Sequence, residues 1–296
     1  MTLIKSFAVG NGDMFYIQHN SDNFTIIDCN LPDDRADGIL ADVEAAKKGK
    51  GITRFISTHP DQDHIAGLVK LDNRFDLLNF YVVKNKATKA EETEDFKRYK
   101  FLRDHEKKAF YVERGCKRKW MNESNEERGS SGLNIRWPVL TNHEFKKALQ
   151  EAECDGNPNN ISPVIRYSVE DGASVMWMGD LETCFMENIA DAFTPESAHI
   201  LFAPHHGRDS GRVPGAWLDA IAPRIIVVGE APADDLCYYA GCDTITQNSA
   251  GDITFDCITG KVRVYVSEPD YQVDCLTFES GVPDAHGGYY IGTLVL

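Results

Sequence analysis

Two histidines and two aspartates lie within six positions of one another in the first quarter of the chain. They are His59, Asp61, Asp63 and His64. Imidazole nitrogens and carboxylate oxygens are the ligands that zinc, manganese and similar divalent cations take in proteins. An aspartate that caps a helix would explain one of these carboxylates, but both histidines would be left without a role. The pattern therefore predicts a site for one or two divalent cations.

Strands must position these ligands. The apolar residues before the motif predict a buried strand ending near Ser57, and those after it predict the first turn of a helix. Ligands in the turn after a rigid strand can converge on one point. Other polar groups also lie next to predicted strands and are candidates for the same site. These groups are Asp28, Asn159, Asn160, Ser162, Asp180, His205 and His206.

Hydrophobic periodicity predicts strands separated by helices in both halves of the chain, and so two sheets flanked by helices. One predicted hairpin has its turn at Glu170-Asp171-Gly172. Residues 84–150 interrupt the alternation. They predict a charged helix over Glu91–Tyr111 and another over Asn142–Ala152, with Asn142 as its cap. We interpret residues 1–296 as a single α/β domain that contains a helical, basic insertion at 84–150.

The composition excludes several classes of protein. A hydrophobic content of 42% over 296 residues is enough for a full core. No apolar run reaches the length of a membrane span, and the N-terminus lacks the apolar length of a signal peptide. The eight cysteines form no CxxC pair, which favours reduced thiols. We therefore expect a cytoplasmic protein with no membrane partner.

The charge is uneven along the chain. The net charge of −15 argues against a protein whose whole surface binds nucleic acid. Between Lys84 and Lys119, however, thirteen Lys and Arg face seven Asp and Glu, so this stretch carries +6 and the remainder −21. Two interpretations stay open for the basic stretch: a solvated helical insertion, or a surface that follows phosphates.

The order of the motifs resembles the metallo-β-lactamase superfamily, and within it the soluble hydrolase domain of the DNA-uptake channel protein ComEC and its stand-alone relatives. The resemblance covers most of residues 3–83 and 157–266, and it omits the insertion. It implies a four-layer αββα sandwich with a dinuclear metal site along one sheet edge. The motifs that carry it are Val9–Asp13 with Ile26–Asp28, the HxDxDH of 59–64, the NxS of 160–162, Gly179-Asp180 and the PHHG of 204–207.

The same resemblance implies a ligand set, with Asp180 as the carboxylate that bridges two cations. The other implied ligands are His59 and Asp61 for one cation, Asp63 and His64 for the second, His206 as a further histidine, and Asn160 where many members carry a third histidine. His205 stays an alternative to His206, and Asn159 to Asn160. Asp28 is implied to orient a ligand from behind the site.

This ligand set is rich in oxygen, which favours Mn²⁺ or Mg²⁺, while Zn²⁺ stays open. By analogy with the superfamily, two cations would lower the pKa of a shared water, and the metal-bridged hydroxide would be the nucleophile. Asp63 would bind a cation and orient this nucleophile. The residues expected to contact a substrate oxygen are Ser162, His205 and Arg208.

Three functions are open at this stage, because fold does not decide substrate. The first is a metal-dependent phosphodiesterase or nuclease that holds phosphates through 84–119. The cations proposed for this role are Lys97, Arg98, Lys117, Arg118 and Lys119. The second is a small-molecule hydrolase of a cyclic nucleotide, a phosphate ester or a lactone, which suits the acidic balance better. The third is a non-catalytic, metal-stabilised subunit that binds a partner.

Overall fold

A computed structural model describes residues 2–168 and 172–296. The strands are β1 (Thr2–Ser6), β2 (Phe15–Gln18), β3 (Asn23–Ile27), β4 (Ile52–Ser57), β5 (Phe80–Val82), β6 (Ala109–Tyr111), β7 (Leu133–Trp137), β8 (Val164–Ser168), β9 (Ser174–Trp177), β10 (Ile200–Phe202), β11 (Ile225–Val228), β12 (Thr244–Thr246), β13 (Ile253–Ile258), β14 (Lys261–Val266) and β15 (Tyr289–Val295). The α-helices are α1 (Ala36–Ala46), α2 (Gln62–Ile65), α3 (Leu68–Phe75), α4 (Glu94–Arg103), α5 (His143–Glu153), α6 (Thr183–Asn188), α7 (Gly215–Ile221) and α8 (Gln247–Ala250).

The strands form two sheets. One has nine strands in the order β15-β14-β13-β1-β2-β3-β4-β5-β6, and the other has six in the order β12-β11-β10-β9-β8-β7. Within the first sheet, β3 to β6 run parallel to one another. Within the second, β9 to β12 are also parallel. The carboxyl ends of parallel strands share one edge of a sheet, so residues that follow these strands are gathered there.

The two sheets face each other across an apolar core. Phe15 of the first sheet packs against Trp177 and Phe202 of the second, with ring centroids 6.2 Å and 4.9 Å away. On the outer face of the first sheet, α1, α3 and α4 bury residues such as Val43 in a separate apolar cluster. On the outer face of the second, Trp137 of β7 packs against Phe145 of α5. The layers follow the order helix, sheet, sheet, helix, which confirms the predicted αββα sandwich.

The insertion at 84–150 is only partly helical. The predicted helix over Glu91–Tyr111 is too long, because α4 ends at Arg103. Phe110 lies instead in β6, which pairs with β5 and so adds an edge strand to the nine-stranded sheet. The segment also supplies β7, the edge strand of the other sheet. Its predicted second helix is confirmed, and the side chain of the cap, Asn142, accepts a hydrogen bond from the Phe145 N–H at 3.0 Å.

The predicted hairpin is confirmed in its strands, since β8 and β9 pair antiparallel. Its expected turn residues Glu170 and Asp171 lie outside the described residues. All eight cysteines are free thiols. Within the two described ranges, none of the helices has the length and apolar character to cross a bilayer.

Candidate metal centre

Asp28 organises the turn that follows β4. Its carboxylate accepts hydrogen bonds from the backbone N–H of Thr58 at 2.8 Å and from the Thr58 hydroxyl at 2.6 Å. The same carboxylate lies 2.9 Å from Nδ1 of His64. Because Asp28 holds Nδ1, His64 presents Nε2 on its other side. Asp28 is fully buried, so it orients His64 from behind and is itself closed to substrate.

Asp180 lies at the centre of a group of four imidazoles. One carboxylate oxygen, Oδ1, is 3.1 Å from Nε2 of His64. The other, Oδ2, lies 3.7 Å from Nε2 of His59 and 3.6 Å from Nε2 of His206. Nε2 of His205 is 3.8 Å from the same oxygen. One buried carboxylate therefore faces four histidines that come from two turns far apart in the sequence.

Ser162 supports this centre from inside the protein. Its hydroxyl accepts a hydrogen bond from the Asp180 N–H at 3.2 Å and lies 3.3 Å from Nδ1 of His59. The close approach requires glycine at position 179, where a Cβ would lie 2.6 Å from the Ser162 Oγ. Ser162 is fully buried, so the expectation that it contacts a substrate oxygen is wrong. Its hydroxyl positions Asp180 and His59.

Asp13 is a member of the site for which the sequence analysis predicts no role. Its carboxylate lies 3.2 Å from Nδ1 of His206, while Nε2 of His206 lies 3.4 Å from the Asp63 carboxylate. The Asp13 N–H donates to the backbone carbonyl of Asp63 at 3.1 Å. A Cβ at position 12 would lie 2.5 Å from that carbonyl oxygen, which explains the glycine there. The available signal was the Gly-Asn-Gly-Asp turn, which the resemblance included without a function.

Four residues of the centre form a compact candidate site for a cation. One ligand atom from each of Asp13, His64, Asp180 and His206 lies within 4.8 Å of the others. Two of the histidines have a carboxylate beside Nδ1. Asp13 lies beside Nδ1 of His206, and Asp28 lies beside Nδ1 of His64. Such pairs fix the orientation of metal-binding imidazoles.

The structure places both adjacent histidines at the centre. His205 and His206 each have φ of 55°, and Gly207 follows with φ of 82°. This run of left-handed residues turns both side chains towards Asp180. His206 is buried, whereas His205 lies on the open side with its Nδ1 2.9 Å from the Ser210 hydroxyl. His206 is therefore the deeper candidate ligand, and His205 is the one that a substrate can reach.

The remaining predicted ligands lie at different distances from the centre. Asp61 is at its outer side, 3.9 Å from Nε2 of His59, and forms an ion pair with Lys89. Asn160 does not join the group. Its amide donates to the Glu182 carboxylate at 2.9 Å and accepts from the Glu182 N–H at 3.1 Å. Because Glu182 engages both polar ends of this amide, the interpretation of Asn160 as a ligand is wrong. Asn159 also turns its amide nitrogen to Glu182, at 3.5 Å.

Burial and charge act against each other in the centre. Burial disfavours a charged His64, but Asp180 and Asp28 outweigh it and hold the pKa of His64 well above its ordinary value. For His206, Asp180 and Asp13 outweigh burial and raise the pKa to about 10. At Asp63, burial is overcome by the neighbouring imidazoles of His206 and His64, which lower its pKa to about 2.

Several buried polar atoms of the centre have no hydrogen-bond partner. They are Nε2 of His59, Nε2 of His64, both ring nitrogens of His206 and Oδ1 of Asp180. Unpaired buried polar groups are costly and call for an explanation. Divalent cations would satisfy these atoms, because imidazole nitrogens and carboxylate oxygens are their usual ligands. The residues present therefore fit a metal centre.

The cations predicted to hold phosphates lie elsewhere. Lys97 pairs with Glu94, and Arg98 pairs with Asp72. Lys117, Arg118 and Lys119 line a cleft together with Ile52, the first residue of β4. The candidate centre follows the last residue of β4, so these three cations are at the opposite edge of the sheet. They therefore do not line the candidate centre, and their contact with substrate phosphates stays a prediction.

Arg208 is the predicted substrate contact that lies near the centre. Its guanidinium donates to the Asn11 side-chain oxygen at 2.7 Å. The Asn11 amide in turn donates to the Asp63 carboxylate at 3.3 Å. A second nitrogen of Arg208 lies 3.7 Å from the Asp235 carboxylate. Arg208 is thus a partly exposed cation linked to the centre through one amide.

Comparison with known proteins relates this chain to one superfamily. The model of the Lactamase_B family, described as the metallo-beta-lactamase superfamily, matches residues 8–156. Among solved structures, the chain is similar to the metallo-beta-lactamase fold protein YhfI from Bacillus subtilis, with 12% identity, 83% of this chain and 96% of that chain covered, and a TM-score of 0.43. It is also similar to CmlA, a diiron beta-hydroxylase from Streptomyces venezuelae, with 13% identity, 79% of this chain and 46% of that chain covered, and a TM-score of 0.42. No curated protein matches the sequence.

Proposed function

This chain belongs to the metallo-beta-lactamase superfamily, and we propose that it is a metal-dependent hydrolase whose substrate is a phosphodiester. The observation that carries the proposal is the convergence of His59, His64 and His206 on the buried carboxylate of Asp180. Structural ion pairs also occur in protein cores, but a core pair would have its polar atoms satisfied. Here the nitrogens that face Asp180 lack hydrogen-bond partners.

The side chains of the centre have separable roles in this proposal. His59, His64, His206, Asp180 and Asp63 would hold divalent cations, which would activate water and neutralise charge on the attacked group. Asp28 and Asp13 keep two of the imidazoles in place. The low pKa of Asp63 leaves its carboxylate ionised at neutral pH, so it is available to hold a cation and orient water. Arg208, on the open side, would contact a substrate oxygen.

The chemistry of the ligands supports a phosphodiester more than a carboxylic ester. The carboxylates of Asp61, Asp63 and Asp180 lie among the histidines, and carboxylate oxygens favour Mn²⁺ or Mg²⁺. Such hard cations commonly act on phosphate groups. The resemblance to the ComEC-type hydrolase domain supports the same substrate class, with Zn²⁺ as the alternative metal.

A small phosphodiester is a better candidate than a long nucleic acid. A polymer would need cations beside the centre, but Lys97 and Arg98 are engaged in ion pairs. Lys117, Arg118 and Lys119 are at the other end of β4. The cations near the centre are Arg208 and Lys89, and each already lies beside a carboxylate. This arrangement supports the small-molecule alternative, such as a cyclic nucleotide, over a nuclease.

The test is hydrolysis by metal-stripped protein resupplied with Mn²⁺, Mg²⁺ or Zn²⁺. The substrates are bis(p-nitrophenyl) phosphate, a cyclic nucleotide, a single-stranded oligonucleotide and a lactone. We expect metal-dependent turnover of the first two by the wild type. Asp63→Ala should lose turnover while its circular dichroism is unchanged, because Asp63 lies at the partly exposed mouth of the centre. The matched control is Asp33→Ala, which removes an exposed carboxylate elsewhere.

The alternatives predict different results in the same assay. Oligonucleotide cleavage that weakens steeply with salt would favour a nuclease, and hydrolysis of the lactone alone would move the substrate class to carboxylic esters. Equal turnover by the wild type and Asp63→Ala would contradict the assigned role of Asp63. Bound metal without hydrolysis of any ester would overturn the proposal and indicate a non-catalytic, partner-binding protein.

A further inference from the structure

The cations between residues 84 and 119 divide into two groups. Seven of them have a carboxylate partner within ion-pair distance: Lys86, Lys89, Lys97, Arg98, Lys100, Arg103 and Lys108. The other six have none among the described residues: Lys84, Lys107, Arg114, Lys117, Arg118 and Lys119. The last three are consecutive, and all of them line the same cleft. Half of the cations without a carboxylate partner in this segment are therefore gathered at one cleft.

The cleft has a volume of about 350 Å³, which is at the lower end of the range for small-molecule sites. Arg118 is fixed within it. Its Nε donates to the Tyr81 hydroxyl at 3.1 Å, and its guanidinium carbon lies 4.3 Å from the ring centroid of Phe110. An arginine held in this way keeps its remaining N–H groups free for a ligand and loses little conformational freedom on binding.

A second guanidinium lies directly behind the cleft. Arg54 is fully buried and donates to the Asn23 side chain at 2.7 Å, to the Thr25 hydroxyl at 3.0 Å and to the Trp120 carbonyl at 2.9 Å. In the part of the chain that the structure describes, no carboxylate pairs with it. Its Nε has no hydrogen-bond partner at all. Buried charges in proteins are normally paired, so this one requires a compensating group.

Both guanidiniums approach the same ring of Tyr81, with Arg54 at 5.7 Å and Arg118 at 5.6 Å from its centroid. Two cations that share one aromatic ring repel each other unless an anion lies near them. Glu123, the single carboxylate among the described residues that line the cleft, forms no ion pair with either arginine. The local charge is thus positive in a chain whose net charge is −15.

We propose that this cleft binds a phosphoryl group, either as an inorganic polyphosphate or as the phosphate end of a nucleotide, at a site separate from the candidate metal centre. Guanidinium and ammonium groups together are the usual ligands of phosphate oxygens. The residues of β4 separate the two sites by about 17 Å, given a rise of roughly 3.3 Å per residue. The proposal is independent of the hydrolase assignment, because it uses none of the same residues.

Titration of metal-stripped protein with inorganic pyrophosphate tests this site. Trp120 lines the cleft, and the other three tryptophans are buried, so tryptophan fluorescence reports binding alongside calorimetry. We expect Lys117→Ala/Lys119→Ala to weaken pyrophosphate binding about tenfold or more, given the strength of charge-assisted hydrogen bonds. The matched control is Lys107→Ala/Lys146→Ala, which removes two exposed lysines and should bind within about twofold of the wild type. Asp180→Asn should also retain binding.

Further ligands identify the source of the phosphoryl group. Binding of adenosine monophosphate more tightly than pyrophosphate, with no binding of adenosine, would support the nucleotide form of the proposal. The reverse order would support the inorganic form. The proposal is overturned if the Lys117/Lys119 variant and its control bind equally, if Asp180→Asn abolishes binding, or if the wild type shows no saturable binding of either phosphate compound.

Discussion

The two ends of β4 carry opposite chemistry. Its carboxyl end leads into a buried group of histidines and carboxylates, and its amino end borders a cleft of arginines and lysines. At the first end every imidazole has a carboxylate beside it, but the nitrogens that face inwards are unsatisfied. At the second end, Lys117, Arg118 and Lys119 form no ion pair with a carboxylate of the described residues. The first end requires a cation to complete it and the second an anion, a distinction that the overall charge conceals.

The largest effect should come from removing the carboxylate at the centre of the first end. Asp180→Asn replaces the group that faces His59, His64 and His206, so we expect divalent metal to be lost on dialysis and turnover with it. The affinity loss should exceed the roughly 10- to 100-fold that the loss of a supporting residue costs. Metal content by mass spectrometry is the measurement. Retention of metal by this variant would contradict the assignment of the centre.

A smaller effect is expected from the carboxylates that support the imidazoles. Asp28→Asn and Asp13→Asn should each weaken metal binding roughly 10- to 100-fold, because His64 or His206 then loses its orienting partner. The measurement is competition against a chelator of known affinity. If only Asp28→Asn has an effect, Asp13 is not equivalent to Asp28. Asp33→Ala serves again as the control.

At the other end of β4, the main expected effect is on stability. Arg54→Ala removes three hydrogen bonds and leaves the Asn23 side chain and the Trp120 carbonyl without this donor, so we expect a loss of about 2–3 kcal/mol in the free energy of unfolding. Urea denaturation measures it. Arg98→Ala, which breaks a partly exposed ion pair with Asp72, should cost at most about 1 kcal/mol. Equal losses in the two variants would show that burial gives Arg54 no special role.

The pH dependence of stability is a further difference between the two ends. In metal-free protein the folded-state pKa of His206 is about 10, against roughly 6.5 when unfolded. Its contribution to stability is therefore complete below about pH 6.5 and is lost as the pH rises towards 10. Urea denaturation in a chelator at several pH values should show this decline. His206→Gln should reduce it, whereas Lys117→Ala should not. A free energy of unfolding that is constant over this range would contradict the assignment.

Sequence patterns predicted the features that depend on residues close together in the chain. His59, Asp61, Asp63 and His64 follow one strand, and the periodicity of that strand and the next helix was enough to place them together. The apolar patterns also predicted two sheets flanked by helices, whereas the four-layer αββα order came from the family resemblance. Asp180 and His206 also follow strands, and the family resemblance added them to the ligand set, with His205 as the alternative to His206.

What depends on contacts between distant residues could not be predicted. The amide of Asn160 is held by Glu182, twenty-two positions away, and nothing near Asn160 indicates this pairing. Arg98 is paired with Asp72, so the charge count of its own segment overstated the free positive charge. The short strand β6 has three residues, too few for a periodic signal, and it exists because β5 offers backbone partners.

The edges of the two sheets also limit how this chain can associate with others. The nine-stranded sheet ends in β6 and the six-stranded sheet in β12, each of three residues, so an incoming strand finds few free N–H and C=O groups there. At the far edge of the larger sheet, Thr277 forms two backbone hydrogen bonds of 2.9 Å with Thr293 and so covers part of the seven-residue β15. Short or covered edges discourage strand-to-strand aggregation. At these three of the four sheet edges, the described residues therefore offer little template for the cross-β stacking that exposed edges promote.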